Sequence, residues 1–288
     1  MKKLSVGTIA YSRDCTPKDY MKRIRKAGYD SIDLGMYDYY NVIMSDEWES
    51  WAEGVLAAAK EAGITVGQAH AQLNYYTSAD LTYEPPPEIF HRNLKISAML
   101  GCKEIVFHPV FIKDGVETAA QCEALMDYNV RWFRELIGPA TALGVHISIE
   151  NGFSEKPQKV RAAFTTADDL LGLLDKIGEP SFGICIDTGH ANIMSQNIPA
   201  MLKACGTRLR TVHLNDNYGM VSPIYPDMHL FPGSGGIDFA GVFSALRDIN
   251  FTGLINLEPG DFIIGLPKSV RDASMAGGAM VAKAYMGM

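Results

Sequence analysis

Short apolar runs alternate with longer amphipathic stretches from one end of the chain to the other. The strand-like runs are LSVGTIAY (4–11), SIDLGM (31–36), TVGQAHA (65–71), EIVFHPV (104–110), VHISIEN (145–151), FGICIDT (182–188), LRTVHLND (209–216) and GLINLEP (253–259). Helical stretches follow them at 16–27, 46–62, 88–100, 118–143, 166–177, 196–205, 238–249 and 267–286. Glycine stands at five helix stops, in Ala27-Gly28, Ala62-Gly63, Leu100-Gly101, Leu143-Gly144 and Ile177-Gly178, as a left-handed closing residue requires. Thr16-Pro17 reads as an N-cap followed by proline at the first helical position. Eight strand–helix repeats predict an α/β fold, a (β/α)8 TIM barrel forming a single domain over 1–288. A doubly wound open sheet would carry a glycine-rich dinucleotide fingerprint after an early strand, and none is present.

Four potential metal ligands each fall at the C-terminal end of a separate strand-like run: Glu150, Asp187, His213 and Glu258. Alternation along a strand tests whether they face the same way. If Glu150 points inward, so do Ser148 and His146; Asp187 takes Cys185 and Gly183 with it, His213 takes Thr211, and Glu258 takes Asn256. The branched apolar residues between them then face the helices. The same parity sends His70 with Gln68, and His108 with Val106, to the inner face. His190, Asp227 and His229 join them among the loops at the strand ends, where barrel active sites lie. Four ionisable groups at one barrel mouth need charge compensation, which a bound cation supplies. Three carboxylates and one imidazole suit one divalent ion, Mn²⁺ first, with Mg²⁺, Co²⁺ or Zn²⁺ as alternatives.

Composition narrows the class. The net charge of −7 and the lack of any long Lys/Arg run argue against nonspecific nucleic-acid binding. Five cysteines (15, 102, 122, 185 and 205) without a CxxC pair read as reduced thiols in a cytoplasmic protein. No stretch reaches the ~18–20 apolar residues of a membrane span, and the opening MKKLSVGTIAYSRD reads as a first strand rather than a leader. No membrane partner is expected. Two loops are long: Gln72–Pro87, with Tyr75, Tyr76 and Tyr83, and Tyr218–Gly236, with Pro223, Pro226, Pro232 and a GSGG turn. Their aromatics, with Trp48, Phe111 and Phe231, are candidates for stacking on a sugar or for packing among themselves. The GSGG reads as a turn into a helix capped by Asp238. The C-terminal helix, with Met275, Ala279 and Met280, offers an apolar surface to the barrel or to another subunit.

The segments ISIEN, CIDTGH, VHLNDN, DMHLFPGSGGIDF and INLEP resemble the motifs of the xylose-isomerase-like TIM-barrel superfamily, over essentially the whole chain and most strongly from 145 to 260. The resemblance to its ketose 3-epimerases implies a metal held by Glu150, Asp187, His213 and Glu258. It implies that Glu150 and Glu258 also carry the protons and that His190 binds substrate; His70, His108, Asp227 and His229, at the same barrel mouth, are further candidates for substrate contact. The expected activity is isomerisation or epimerisation of a keto-sugar or sugar phosphate by α-proton abstraction and a metal-stabilised enediolate. The expected partner is that small-molecule sugar, in a homo-oligomer or beside a hetero-partner subunit. One departure stands out: those enzymes usually carry an arginine shortly after the strand-seven histidine, where this chain has Asn217 and Tyr218.

Three alternatives share the site. A keto-glycoside lyase, of the C-glycoside deglycosidase type, begins with the same proton abstraction and ends in β-elimination. Endonuclease IV, with three zinc ions and nine ligands, can be overlaid on His70, His108, Glu150, Asp187, His190, His213, Asp227, His229 and Glu258. Against it, the loops at 72–87 and 218–236 hold no Lys or Arg for phosphates, and Met228 replaces the arginine between its Asp and His. A non-catalytic sugar-binding protein would keep the pocket without turnover. Scattered cations (Arg13, Lys113, Lys156, Lys159, Arg161) are the candidates for holding a phosphorylated substrate.

Overall fold

The structure is a computed structural model that describes residues 3–73, 76–112, 115–116, 118–154, 162–220 and 227–287. Tyr75, Lys113, Lys156, Lys159, Arg161, Pro223 and Pro226, singled out in the sequence, lie outside the described residues. Eight parallel strands close a barrel: β1 (Leu4–Gly7), β2 (Ser31–Gly35), β3 (Thr65–His70), β4 (Glu104–Phe107), β5 (His146–Glu150), β6 (Phe182–Asp187), β7 (Leu209–Leu214) and β8 (Ile255–Leu257). Each pairs with its neighbours in sequence, and β8 returns to β1 through Leu4↔Ile255, Ser5↔Asn256 and Val6↔Leu257. Eight outer helices follow: α1 (Pro17–Lys26), α2 (Trp48–Ala62), α3 (Glu88–Met99), α4 (Ala119–Leu143), α5 (Ala167–Ile177), α6 (Ile198–Cys205), α7 (Phe239–Asp248) and α8 (Lys268–Met286).

Local chemistry places the boundaries as the sequence suggests. Gly28, Gly63, Gly101, Gly144 and Gly178 all take positive φ. Thr16 caps α1 by accepting from the Asp19 amide, and Asp238 caps α7 by accepting from Gly241. The first strand is shorter than the run LSVGTIAY. Thr8 turns the chain into a helical turn, Ile9–Ser12, because Tyr11 is buried against α8, where its hydroxyl donates to Asp272. On α8, Met275 and Ala279 pack on the barrel while Met280 faces solvent.

The two barrel faces differ in chemistry. Branched side chains such as Ile32, Ile147, Ile149, Ile184, Ile186, Val212 and Ile255 cover the helix side. The interior holds Ser5, Asp33, Gln68, Ser148, Thr211 and Asn256, all buried, where barrels of this kind usually stack branched apolar residues. This polar plug lies directly beneath the strand C-termini.

Candidate metal and substrate site

Strand register brings the four strand-end residues together. Asp187 pairs across from His213, Asn256 pairs across from His213 on the other side, and Glu150 pairs with Cys185. One donor atom from each of Glu150, Asp187, His213 and Glu258 can be chosen so that all four lie within 4.8 Å of one another. His213 Nδ1 is 3.3 Å from Glu150 Oε2 and 3.3 Å from Glu258 Oε2. Two ligands of one ion at roughly 2.1 Å stand at about that separation.

The surrounding histidines reinforce the point. Each of three imidazoles donates its Nδ1–H to a backbone carbonyl: His70 to Ala71 (3.0 Å), His190 to Asn151 (2.9 Å) and His229 to Glu258 (3.2 Å). Their Nε2 atoms then face carboxylates, His70 at 3.2 Å from Glu150, His190 at 3.1 Å and His229 at 2.7 Å from Asp227. A neutral imidazole so fixed aims a lone pair at an anion, so a proton or a cation must stand between. His108 Nε2 reaches the same Glu150 oxygen at 3.2 Å. Glu150 Oε1, Glu258 Oε2, Asp227 Oδ1 and His213 Nδ1 are buried without a hydrogen-bond partner, which is where a cation would satisfy them. The donor set fits a divalent ion.

Electrostatics follow from burial and these contacts. Burial would raise Glu150 and Glu258, but His213 beside both holds them well below the usual carboxylate range. Asp187 is pushed up to about 7 because burial dominates there. Burial pulls His190 down, yet Asp187 and Asp227 override it and lift the imidazole to about 10. Against burial, His70 and His229 are likewise raised by their carboxylates and His213 by Cys185, Glu258 and Glu150, while burial lowers His108.

A supporting ring holds these groups. Asp33, from β2, accepts from Gln68 Nε2 (2.7 Å) and Asn256 Nδ2 (2.9 Å) and stands 3.2 Å from His213 Nε2. It therefore faces the outer nitrogen of the ring whose inner nitrogen points at Glu150 and Glu258. Asn151 accepts from the Asp187 amide, and Asn215 donates to its carboxylate. Gly189 is required there, since a Cβ would fall 1.9 Å from Asn215 Oδ1. His229 sits at φ 44°, a left-handed conformation unusual for histidine, held by its bonds to Asp227 and Glu258.

All nine residues named from the sequence converge on this centre. Asp33, Asn151, Asn215, Tyr37 and Phe153 were not named. Asn151 and Asn215 sit beside ligands in sequence, whereas nothing local marks Asp33. A cavity of about 530 Å³ opens above, lined by His70, His108, Glu150, His190, Asp227, His229 and Glu258 at its base. Tyr76 and Phe111 reach it. Tyr83 instead packs on Tyr128, Trp48 lies under Arg92, and Phe231 meets Phe262. Asn217 is buried, donating to Gly189 and accepting from Asn192 and Gly219. The GSGG turn wraps a protein carboxylate: Gly233, Gly235 and Ile237 donate to Asp216, as a turn into α7 requires.

Fold and site together define the class, a (β/α)8 barrel whose polar centre sits among the loops at the strand C-termini. The chain belongs to the xylose isomerase-like TIM barrel family, whose family model matches residues 21–274. It is similar to an uncharacterised protein of Methanocaldococcus jannaschii, 28% identical over 176 residues, covering 60% of this chain and 54% of that one. The chain thus spans about half the length of that relative. It is 24% identical over 201 residues to inosose isomerase of Bacillus velezensis, covering 68% and 69% of the two chains. The crystal structure of a D-psicose 3-epimerase in the presence of D-fructose matches with TM-score 0.76 at 18% identity, over 99% of this chain and 100% of that one. At that identity the likeness is one of fold.

Proposed function

We propose that this protein is a divalent-metal-dependent sugar isomerase or epimerase, acting as one domain on a keto-sugar. The convergence of Glu150, Asp187, His213 and Glu258 at the floor of an open cavity carries the reading. Relatives named as inosose isomerase and structural neighbours named as ketose epimerases support it. When bound, a divalent ion, Mn²⁺ by preference, supplies Lewis-acid stabilisation of the charge that develops beside the reacting carbon. Glu150, Asp187, His213 and Glu258 would hold it. Glu150 and Glu258 come from β5 and the end of β8, and each offers a carboxylate to the cavity. One removes the α-proton and the other returns it on the opposite face, so a stereocentre inverts. His190, fixed by Asn151 and Asp227, and His229 bind and orient hydroxyls, with His70, His108 and Asp227 completing that wall. Arg13 lines the cavity and is paired with Asp38. Five cysteines without a CxxC pair suit a cytoplasmic location.

Elemental analysis of protein purified without added metal tests the reading, with solvent-deuterium exchange into ketoses as its companion. About one divalent ion per chain and exchange abolished in Glu150→Gln and Glu258→Gln are expected. Close to three zinc ions, with cleavage of abasic DNA, would transfer the site to the endonuclease reading. Failure to bind any divalent ion after reconstitution would overturn the proposal.

A further inference from the structure

The cavity has two chemically different halves. Its floor is carboxylate and imidazole. On its flank, beside the ends of β4 and β5, the described lining residues between 111 and 163 are apolar apart from Glu150 and Ser154. This flank is supported from behind. Phe111 and Ile112 pair with Tyr76 and Thr77 in a two-stranded parallel ribbon across the mouth. The Phe111 ring lies over Gly152, where a Cβ would be 2.7 Å from Cζ, and meets Phe164 edge-on. Ile112, Val116 and Leu125 are nearly or fully buried behind it. Phe153 stacks on His190 at 4.6 Å, with the rings 29° apart. The apolar wall therefore begins two residues after Glu150, beside the reacting centre.

A free ketose is hydroxylated along its length. Held against this flank, its hydroxyls would give up water without a partner, which is costly for a polar group. The volume of about 530 Å³ also falls in the range of roughly 300–1,000 Å³ that accommodates drug-sized ligands. Resting on the keto-sugar reading above, we propose that the flank is a subsite for an aromatic group linked to the sugar, so that the substrate is a keto-glycoside with an apolar aglycone. The sugar ring lies on the acidic and imidazole floor. The aglycone lies between Tyr76, Phe111 and Phe153.

The test uses the Mn²⁺-loaded protein in ²H₂O and follows deuterium incorporation beside the carbonyl by NMR. The probes are D-fructose and the methyl and phenyl 3-keto-β-D-glucopyranosides. Burial of one phenyl ring predicts at least about a tenfold higher kcat/KM for phenyl over methyl. In Phe111→Ala, and in Tyr76→Ala, whose side chain is half exposed and outside the core, that ratio falls toward one. Equal rates for phenyl and methyl, or faster exchange of D-fructose than of both, would overturn the subsite while leaving the enzyme reading intact. Exchange with none of the three would overturn the enzyme reading, and the subsite with it.

Discussion

Asp33→Asn is the most informative single perturbation, because it changes one buried charge and almost no volume. Asp33 is 2% exposed, and its Oδ2 accepts from Gln68 and Asn256 and faces His213 Nε2. A hydrogen bond to a charged acceptor contributes about 1.5–3 kcal/mol, a neutral one about 0.5–1.5. Three contacts each losing about 1 kcal/mol give a gross loss near 3 kcal/mol, offset in part because a neutral amide is cheaper to bury. The expected net destabilisation is about 1–2 kcal/mol, or roughly 2–8 °C in melting temperature. The larger effect concerns metal. The Asp33 carboxylate, 3.2 Å from the outer nitrogen, favours a proton there and leaves Nδ1 facing Glu150 and Glu258. Losing such a partner typically lowers metal affinity 10–100-fold, or about 1.4–2.8 kcal/mol. Competition with a chromophoric chelator measures the affinity, and the visible spectrum of the Co²⁺-loaded protein reports ligand geometry independently of turnover. Asp33→Ala, which removes the acceptor shared by the Gln68 and Asn256 amides, is expected to be worse on both counts. Wild-type affinity and an unchanged Co²⁺ spectrum in both variants would refute the reasoning and leave barrel packing alone to orient His213.

The remaining predictions concern the same centre. Glu150→Gln and Glu258→Gln should each reduce deuterium exchange by about 10²-fold or more, as loss of a positioned acid or base does, and retained exchange in either removes it from the proton path. Adding Mn²⁺ at about 100 times its Kd should stabilise the protein by about 2.7 kcal/mol, readable as a rise in melting temperature that a chelator reverses. Metal-free protein should lose stability as pH rises. Asp187, raised to about 7, contributes stability that is full below its ordinary 3.8 and gone above 7. His190, raised to about 10, contributes stability that is full below 6.5 and lost as pH climbs through 10. Melting temperatures that stay flat or climb between pH 6 and 9.5 in chelator would contradict both shifts. Gly189→Ala should displace Asn215 from Asp187, costing about 1–3 kcal/mol and weakening metal binding; unchanged stability and affinity would show that Asn215 has room to move.

The sequence by itself determined what is local. Strand and helix positions followed from residue patterning and from glycines that must take positive φ, such as Gly63 and Gly144. Strand parity carried the same reasoning to the site, placing Glu150, Asp187 and His213 on the inner face before any register was known, because alternation is a property of one strand. What only the tertiary structure decided depends on contacts between distant segments. Asp33 is 35 residues from Gln68 and 223 from Asn256 along the chain, so its place under His213 exists only once β1 and β8 close the barrel. The fate of the aromatics divides the same way. Phe111 enters the cavity because Gly152 gives its ring a seat, while Tyr83 and Phe231 turn to other partners. The turn at Thr8, which ends the first strand early, has the same cause: Tyr11 is drawn down by Asp272, 261 residues away, and local propensity carries no trace of so remote a contact.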